Sequence, residues 1–215
     1  RLEPLDEEIF LAQLGARAKV LNPGFQAAVR WVVQRHSTRP EMAPTRYTGG
    51  PLHDCEKFKV VCSEGFDAEV IAAPVKLLHR MRQKLHRFAP SDPNYVWPLA
   101  ANILDPVRST VVCDGAQSMV EVARWFLECG DTPEGSLRVC SVENMFAMDR
   151  GEVPDGNRDL KLCMVFQDAS SRLSIIGEVQ INDRSLFDLK CKMHMLYMVK
   201  HASAPEAIHG GEGPA

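Results

Sequence analysis

From Leu173 to Ile181 apolar and polar positions alternate. Leu173, Ile175, Gly177, Val179 and Ile181 fall on one face, and Ser174, Ile176, Glu178 and Gln180 on the other, which predicts a strand. Leu160, Leu162, Met164 and Phe166 alternate in the same way and predict a second strand just before it. Shorter apolar runs over residues 57–62, 66–72, 107–113 and 137–142 predict four more. Helical spacing takes over elsewhere. Residues 6–34 carry an apolar stripe broken by Asn22-Pro23-Gly24, which predicts two helices. Pro74, favoured in a first helical turn, opens a predicted helix over 74–88. A helix over 116–129 would bury Met119, Val122, Ala123, Phe126 and Leu127, with Gly130 ending it. A last helix is predicted over 183–200. Loops are expected over 37–50, 90–98 and 149–157, and residues 202–215, rich in Ala, Gly and Pro, read as a disordered tail.

Helices and strands in this order predict an α+β fold with a mixed central sheet flanked by helices. The expected organisation is an N-terminal helical segment and loop over 1–50, a main domain over 51–201, and the tail.

Composition narrows the function classes. The chain has 215 residues, 45% of them hydrophobic, enough for a substantial core. A formal net charge of -3 gives no global basic signature, so bulk charge does not argue for DNA or an anionic membrane as partner. No apolar run approaches the ~20 residues of a membrane helix, and no signal-peptide pattern is present. Seven cysteines, scattered through apolar runs without a CxxC pair, read as reduced, mostly buried thiols of a cytoplasmic protein.

Some polar residues interrupt this apolar pattern. Glu178 sits in the middle of an apolar strand, where a carboxylate costs free energy unless it meets a cation or donors. Asp105 lies just before the strand at 107–113. Two such carboxylates facing one cleft can hold a magnesium ion on a nucleotide; the alternative is that Asp105 caps a turn and Glu178 forms a salt bridge. Lys76, Arg80 and Lys84 are spaced to share one helix face, as a phosphate site or as a solvated cationic face. Arg108 and Arg158 have the forked guanidinium suited to phosphate oxygens, with Asp105 or Asp159 as alternative partners. His194 and Tyr197 share a face of the last helix, and Gly156-Asn157-Arg158-Asp159 either cradles a ligand or turns a hairpin.

Taken together and in order, these pieces resemble the synthetase domain of the RelA/SpoT family of nucleotide pyrophosphokinases, over residues 66–200. Ala73-Pro74-Val75-Lys76 resembles the family's lysine-bearing strand end, and Lys84-Leu85 the end of the following helix. Asp105-Pro106-Val107-Arg108 resembles the segment opening on the metal aspartate, and Gly156 to Asp159 its glycine loop. Glu178-Val179-Gln180-Ile181 matches its Glu-Val-Gln-Ile strand in full, and His194-Met195-Leu196-Tyr197 its His-x-x-Tyr helix.

The resemblance implies a nucleotidyltransferase-like synthetase fold and transfer of pyrophosphate from ATP to the 3′-hydroxyl of a guanine nucleotide, or of a related acceptor such as an RNA 3′ end, with release of AMP. It implies Mg2+ on Asp105 and Glu178, with Glu178 helping to deprotonate the hydroxyl. Lys76, Arg80, Lys84, Arg108, Asn157, Arg158, Lys161, Gln180 and His194 would line the nucleotide sites. Three positions depart from the family pattern. Asn157 stands for the tyrosine that stacks on the acceptor base, Pro74 for a basic residue, and Lys161 for a histidine. These departures leave a second reading open, a catalytically degenerate domain of the same fold that binds a nucleotide or a protein.

Overall fold

The sequence alternation materialises as one eight-stranded sheet. In a computed structural model of the chain, residues 4–40, 42–48, 50–63, 65–86, 88, 95–149, 151, 153 and 158–201 are described, the side chains of 4, 5, 51 and 194–201 excepted. The strands are β1 (Thr45–Arg46), β2 (Glu56–Val61), β3 (Asp67–Ala72), β4 (Val107–Cys113), β5 (Asp131–Thr132), β6 (Gly135–Asn144), β7 (Leu160–Asp168) and β8 (Ser174–Asp183), and the helices are α1 (Pro4–Gln34), α2 (Leu78–Leu85), α3 (Gly115–Leu127) and α4 (Arg184–His201). The spatial strand order is β1-β2-β3-β4-β8-β7-β6-β5. Among the described strands only β4 and β8 run parallel, so the sheet is mixed and the fold α+β, as the element pattern predicts.

Period-two alternation sorts each strand's side chains. On β8, Ile175, Gly177, Val179 and Ile181 are buried, and Ile176, Glu178 and Gln180 face the other way. The buried set joins Leu162, Met164 and Phe166 of β7, Val107 and Val111 of β4, and Val70 of β3 beneath α1 and α3. Gly177 makes that packing possible: a Cβ there would lie 2.6 Å from Val107 Cγ2 and 2.8 Å from the Phe25 ring.

The opposite face is covered only in part. There α4 lays Phe187 on Ile71 and Val112, next to Leu52, Cys55 and Ala73. The polar positions of β4, β8 and β7 lie on this second face, beside that smaller cluster.

Several predicted elements need correction. Residues 4–34 form one helix that continues through Pro23 rather than two. Proline removes one intrahelical donor, yet Leu21 before it and Phe25, Ala28, Val29 and Val32 after it are all buried on the sheet, and that packing outweighs the local break. The helix expected from Pro74 starts only at Leu78; Lys76 lies in extended chain whose N–H donates to Pro106 O at 3.0 Å. Lys76, Arg80 and Lys84 therefore do not share a helix face. Leu127 is 57% exposed, because α3 turns its last apolar residue away from the sheet. The expected loop at 37–50 contains β1 and an isolated bridge from Ser37 to Cys62, and β5 is a two-residue strand too short to leave a periodic signal. All seven cysteines are free thiols, with Cys55, Cys62, Cys113 and Cys129 buried. No helix among the described residues is long and apolar enough to cross a membrane. The segment at 202–215 lies outside the described residues.

Candidate functional site

The site is assembled by contacts along α1. Leu11 packs with Met81 of α2 and with Ala100 and Ile103 of the turn that precedes β4. Glu7 accepts hydrogen bonds from the N–H groups of Leu99 (2.6 Å) and Ala100 (3.1 Å). Glu8 takes Arg82 of α2 in a fork, both contacts at 2.7 Å. Further along α1, Gln26 Nε2 donates to Arg108 O at 2.6 Å and to Ala73 O at 3.2 Å. One helix thus sets the position of the three segments that carry Lys76, Lys84 and Asp105.

Those three residues meet. Asp105 Oδ2 accepts from Lys76 Nζ, and Oδ1 accepts from Lys84 Nζ at 2.9 Å. Burial on its own would raise the Asp105 pKa, but the two ammonium groups outweigh it and bring it down to about 2. Lys76 is itself lowered by its burial, with Lys84 and Arg108 adding repulsion that Asp105 only partly offsets. The positive charge here is not cancelled by its anion.

Strand register brings the second carboxylate alongside. Arg108 of β4 lies opposite Glu178 of β8, and on the other side Cys163 of β7 lies opposite Glu178 and Lys161 opposite Gln180. Gln180 Nε2 donates to Glu178 Oε1 at 2.6 Å. The Glu178 pKa is raised, first by burial and then by the charge of Asp105; Gln180, Lys161 and Arg108 pull the other way but do not prevail. Arg108 Nε is buried with no hydrogen-bond partner. Such an orphaned donor is costly and has a use if an acceptor docks on it. Burial disfavours the charged form of Lys161, but its bond to Glu143 Oε2 (2.9 Å), together with Asp159 and Glu178, raises its pKa.

Three cations, Lys76, Lys84 and Arg108, thus face two carboxylates, one of them biased toward its neutral form. Phosphate oxygens are the ligand such an excess fits. A divalent cation fits too. Magnesium uses one or two carboxylates and completes its shell with phosphate oxygens and water. Asp105 helping to raise Glu178 is a repulsion that a shared cation would relieve. No cluster of three or more His, Cys, Asp or Glu exists among the described residues that could form a metal cage built from protein alone.

Other candidates lie elsewhere. Arg80, half-buried on α2, donates to Gln83 Oε1 at 3.3 Å. Arg158 Nη1 donates to the carbonyls of Met145 (2.9 Å), Phe146 (3.1 Å) and Met148 (3.2 Å), which makes it a clamp on the β6–β7 connection rather than a cation aimed at the cleft. Its neighbour Asp159 is buried, with Oδ2 3.5 Å from Lys190 of α4. Asn157 and the side chain of His194 lie outside the described residues. Sequence reasoning passed over Cys163 and Gln26. The signal for Cys163 was present, since it alternates with Leu162 and Met164 and so had to share the face of Lys161. Gln26 left no pattern, because its role depends on which backbone carbonyls the fold brings to it.

Fold and site together define an α+β protein whose mixed sheet carries a cluster of cations and two carboxylates on the face opposite α1 and α3. No protein-family model matches the sequence, and no curated protein matches it. Among solved structures, the chain is similar to the small alarmone synthetase 1 from Bacillus subtilis bound to its product pppGpp, at 18% identity and a TM-score of 0.47, over 65% of this chain and 65% of that one. It is similar to a GTP pyrophosphokinase family protein from Streptococcus pneumoniae at 14% identity and a TM-score of 0.44, over 65% of this chain and 62% of that one. It is similar to smu.1046c from Streptococcus mutans UA159 at 14% identity and a TM-score of 0.49, over 94% of this chain and 83% of that one. The chain thus spans just under two thirds of the first two proteins.

Proposed function

We propose that this chain is a nucleotide pyrophosphokinase, transferring pyrophosphate from ATP to the 3′-hydroxyl of a guanine nucleotide or a related acceptor, such as an RNA 3′ end, and releasing AMP. The observation that carries this reading is the pairing of unlike carboxylates within one cluster of cations. Asp105 is held ionised by two lysines, while Glu178, opposite Arg108, is pushed toward protonation. Carboxyl groups driven apart in this way mark divided acid and base roles. The order of motifs from Lys76 to Ile181 supports the same reading.

In this account Lys76, Lys84 and Arg108 neutralise the polyphosphate, and the orphaned Arg108 Nε gains its acceptor. The acceptor's 3′-oxygen attacks the β-phosphorus, the bond to the bridging α–β oxygen breaks, and AMP leaves. The hydroxyl proton passes to Glu178, whose raised pKa makes its carboxylate a stronger base than an ordinary one. Gln180 holds that carboxylate in place. Asp105 and Glu178 would hold Mg2+, which when bound offsets charge on the transferred phosphoryl oxygens. Catalysis of this kind is mainly positioning and electrostatic stabilisation.

A second reading, a binding domain without turnover, is favoured by one feature. Both oxygens of Asp105 are engaged by lysines, so ATP has to draw the ammonium groups away before a cation can use that carboxylate. AMP release from labelled ATP with Mg2+ separates the two, run with GDP, GTP, GMP, adenine nucleotides and bulk tRNA as acceptors. AMP formed with one acceptor supports transfer and names the substrate. ATP binding without AMP for any acceptor establishes the binding domain.

A further inference from the structure

Next to Glu178, strands β6 and β7 carry a thiol pair that the proposed chemistry does not use. The register of β6 on β7 shifts between Val139 and Ser141: Val139 lies opposite Met164 and Ser141 opposite Cys163, so Cys140 is the extra residue of a bulge. Val139 packs on the core beneath α1 and α3. Alternation sends Cys140 to the other face, which is the face of Ser141 and Cys163. The Cys140 thiol reaches that neighbour, donating from Sγ to Cys163 O at 3.2 Å. Cys140 is exposed, Cys163 is half-buried, and both are free. In a bulge two residues oppose one, so Cys140 shares Cys163 with Ser141 as its cross-strand neighbour.

We propose that Cys140 and Cys163 form an interstrand disulfide when the protein meets a small-molecule disulfide such as glutathione disulfide. The exposed Cys140 thiolate attacks one sulfur of the oxidant, whose S–S bond breaks and releases one glutathione. Cys163 then attacks the Cys140 sulfur of the mixed disulfide, forming the internal bond and releasing the second glutathione. Two protein thiols are oxidised, one glutathione disulfide is reduced, and the two thiol protons end on the two glutathiones. The bond would lie beside Glu178.

Thiol alkylation and peptide mapping test this on the folded full chain, with no reference to the proposed activity. The expected result after glutathione disulfide is loss of both thiols and recovery of one linked peptide pair joining Cys140 to Cys163. Cys140→Ser leaves Cys163 free, and Cys163→Ser stops at glutathione on Cys140. A parent chain that stops at glutathione on Cys140 with Cys163 still alkylatable, or that links Cys140 to a different cysteine, overturns the proposal.

Discussion

The two faces of the sheet are built from the same strands and obey opposite rules. On β8, Gly177, Val179 and Ile181 are packed under α1 to the point where a single added Cβ collides, while Glu178 and Gln180, their immediate neighbours, bring charge and hydrogen bonds to the other side. The packed face gains from burying apolar surface, and its residues are replaceable by others of similar shape. The polar face holds a cationic excess and an orphaned guanidinium nitrogen, features that cost stability and have a rationale only with a ligand present. Changes one residue apart should therefore have unlike effects.

The largest effect on stability is expected at Phe25, which is fully buried against Phe166 and Gly177. Phe25→Ala should lower unfolding free energy by about 3–5 kcal/mol in a denaturant titration, through lost burial and a cavity. Gly177→Ala should cost about 1–3 kcal/mol by overpacking against Val107 and Phe25. Equal stability of that variant would break the contrast between the faces.

Next comes a difference between the two carboxylates. The Asp105 pKa is lowered to about 2 from 3.8, so its stabilisation is present above the unfolded value and is lost as pH falls through the folded one. The stability gap between the parent and Asp105→Asn should shrink by about 2 kcal/mol between roughly pH 5 and pH 2. Glu178 has the opposite sign. Its raised pKa gives a contribution that is present below the unfolded value and is lost as pH rises through the folded one. Glu178→Gln should therefore be as stable as the parent or more so at neutral pH, and a marked loss there would contradict the assignment. The smallest effect belongs to Leu127, exposed at the end of α3: Leu127→Ser should stay within about 0.5 kcal/mol.

The faces also explain what the chain's pattern revealed. Strands 107–113 and 160–168 were legible because alternation or a closed apolar run survives translation into a sheet. So was the unusual placement of Glu178. Pro23 misled because local helix rules carry no information about the apolar surface waiting on both sides of it. Lys76 and Lys84 were legible as cations near phosphate-like motifs, but not their shared hold on Asp105. That contact depends on an extended segment and a helix meeting a turn, with α1 supplying the packing that joins them. The neighbours of Glu178 across β4 and β7 depend on register, which no single segment encodes.

The most direct test of the central claim is AMP release from labelled ATP with Mg2+ and the preferred acceptor, comparing the parent chain with Glu178→Gln. The account predicts AMP from the parent, a fall of about 10²–10⁴-fold in the variant, as for loss of a general base, and no loss of folded stability. Equal AMP release by the two proteins would contradict it.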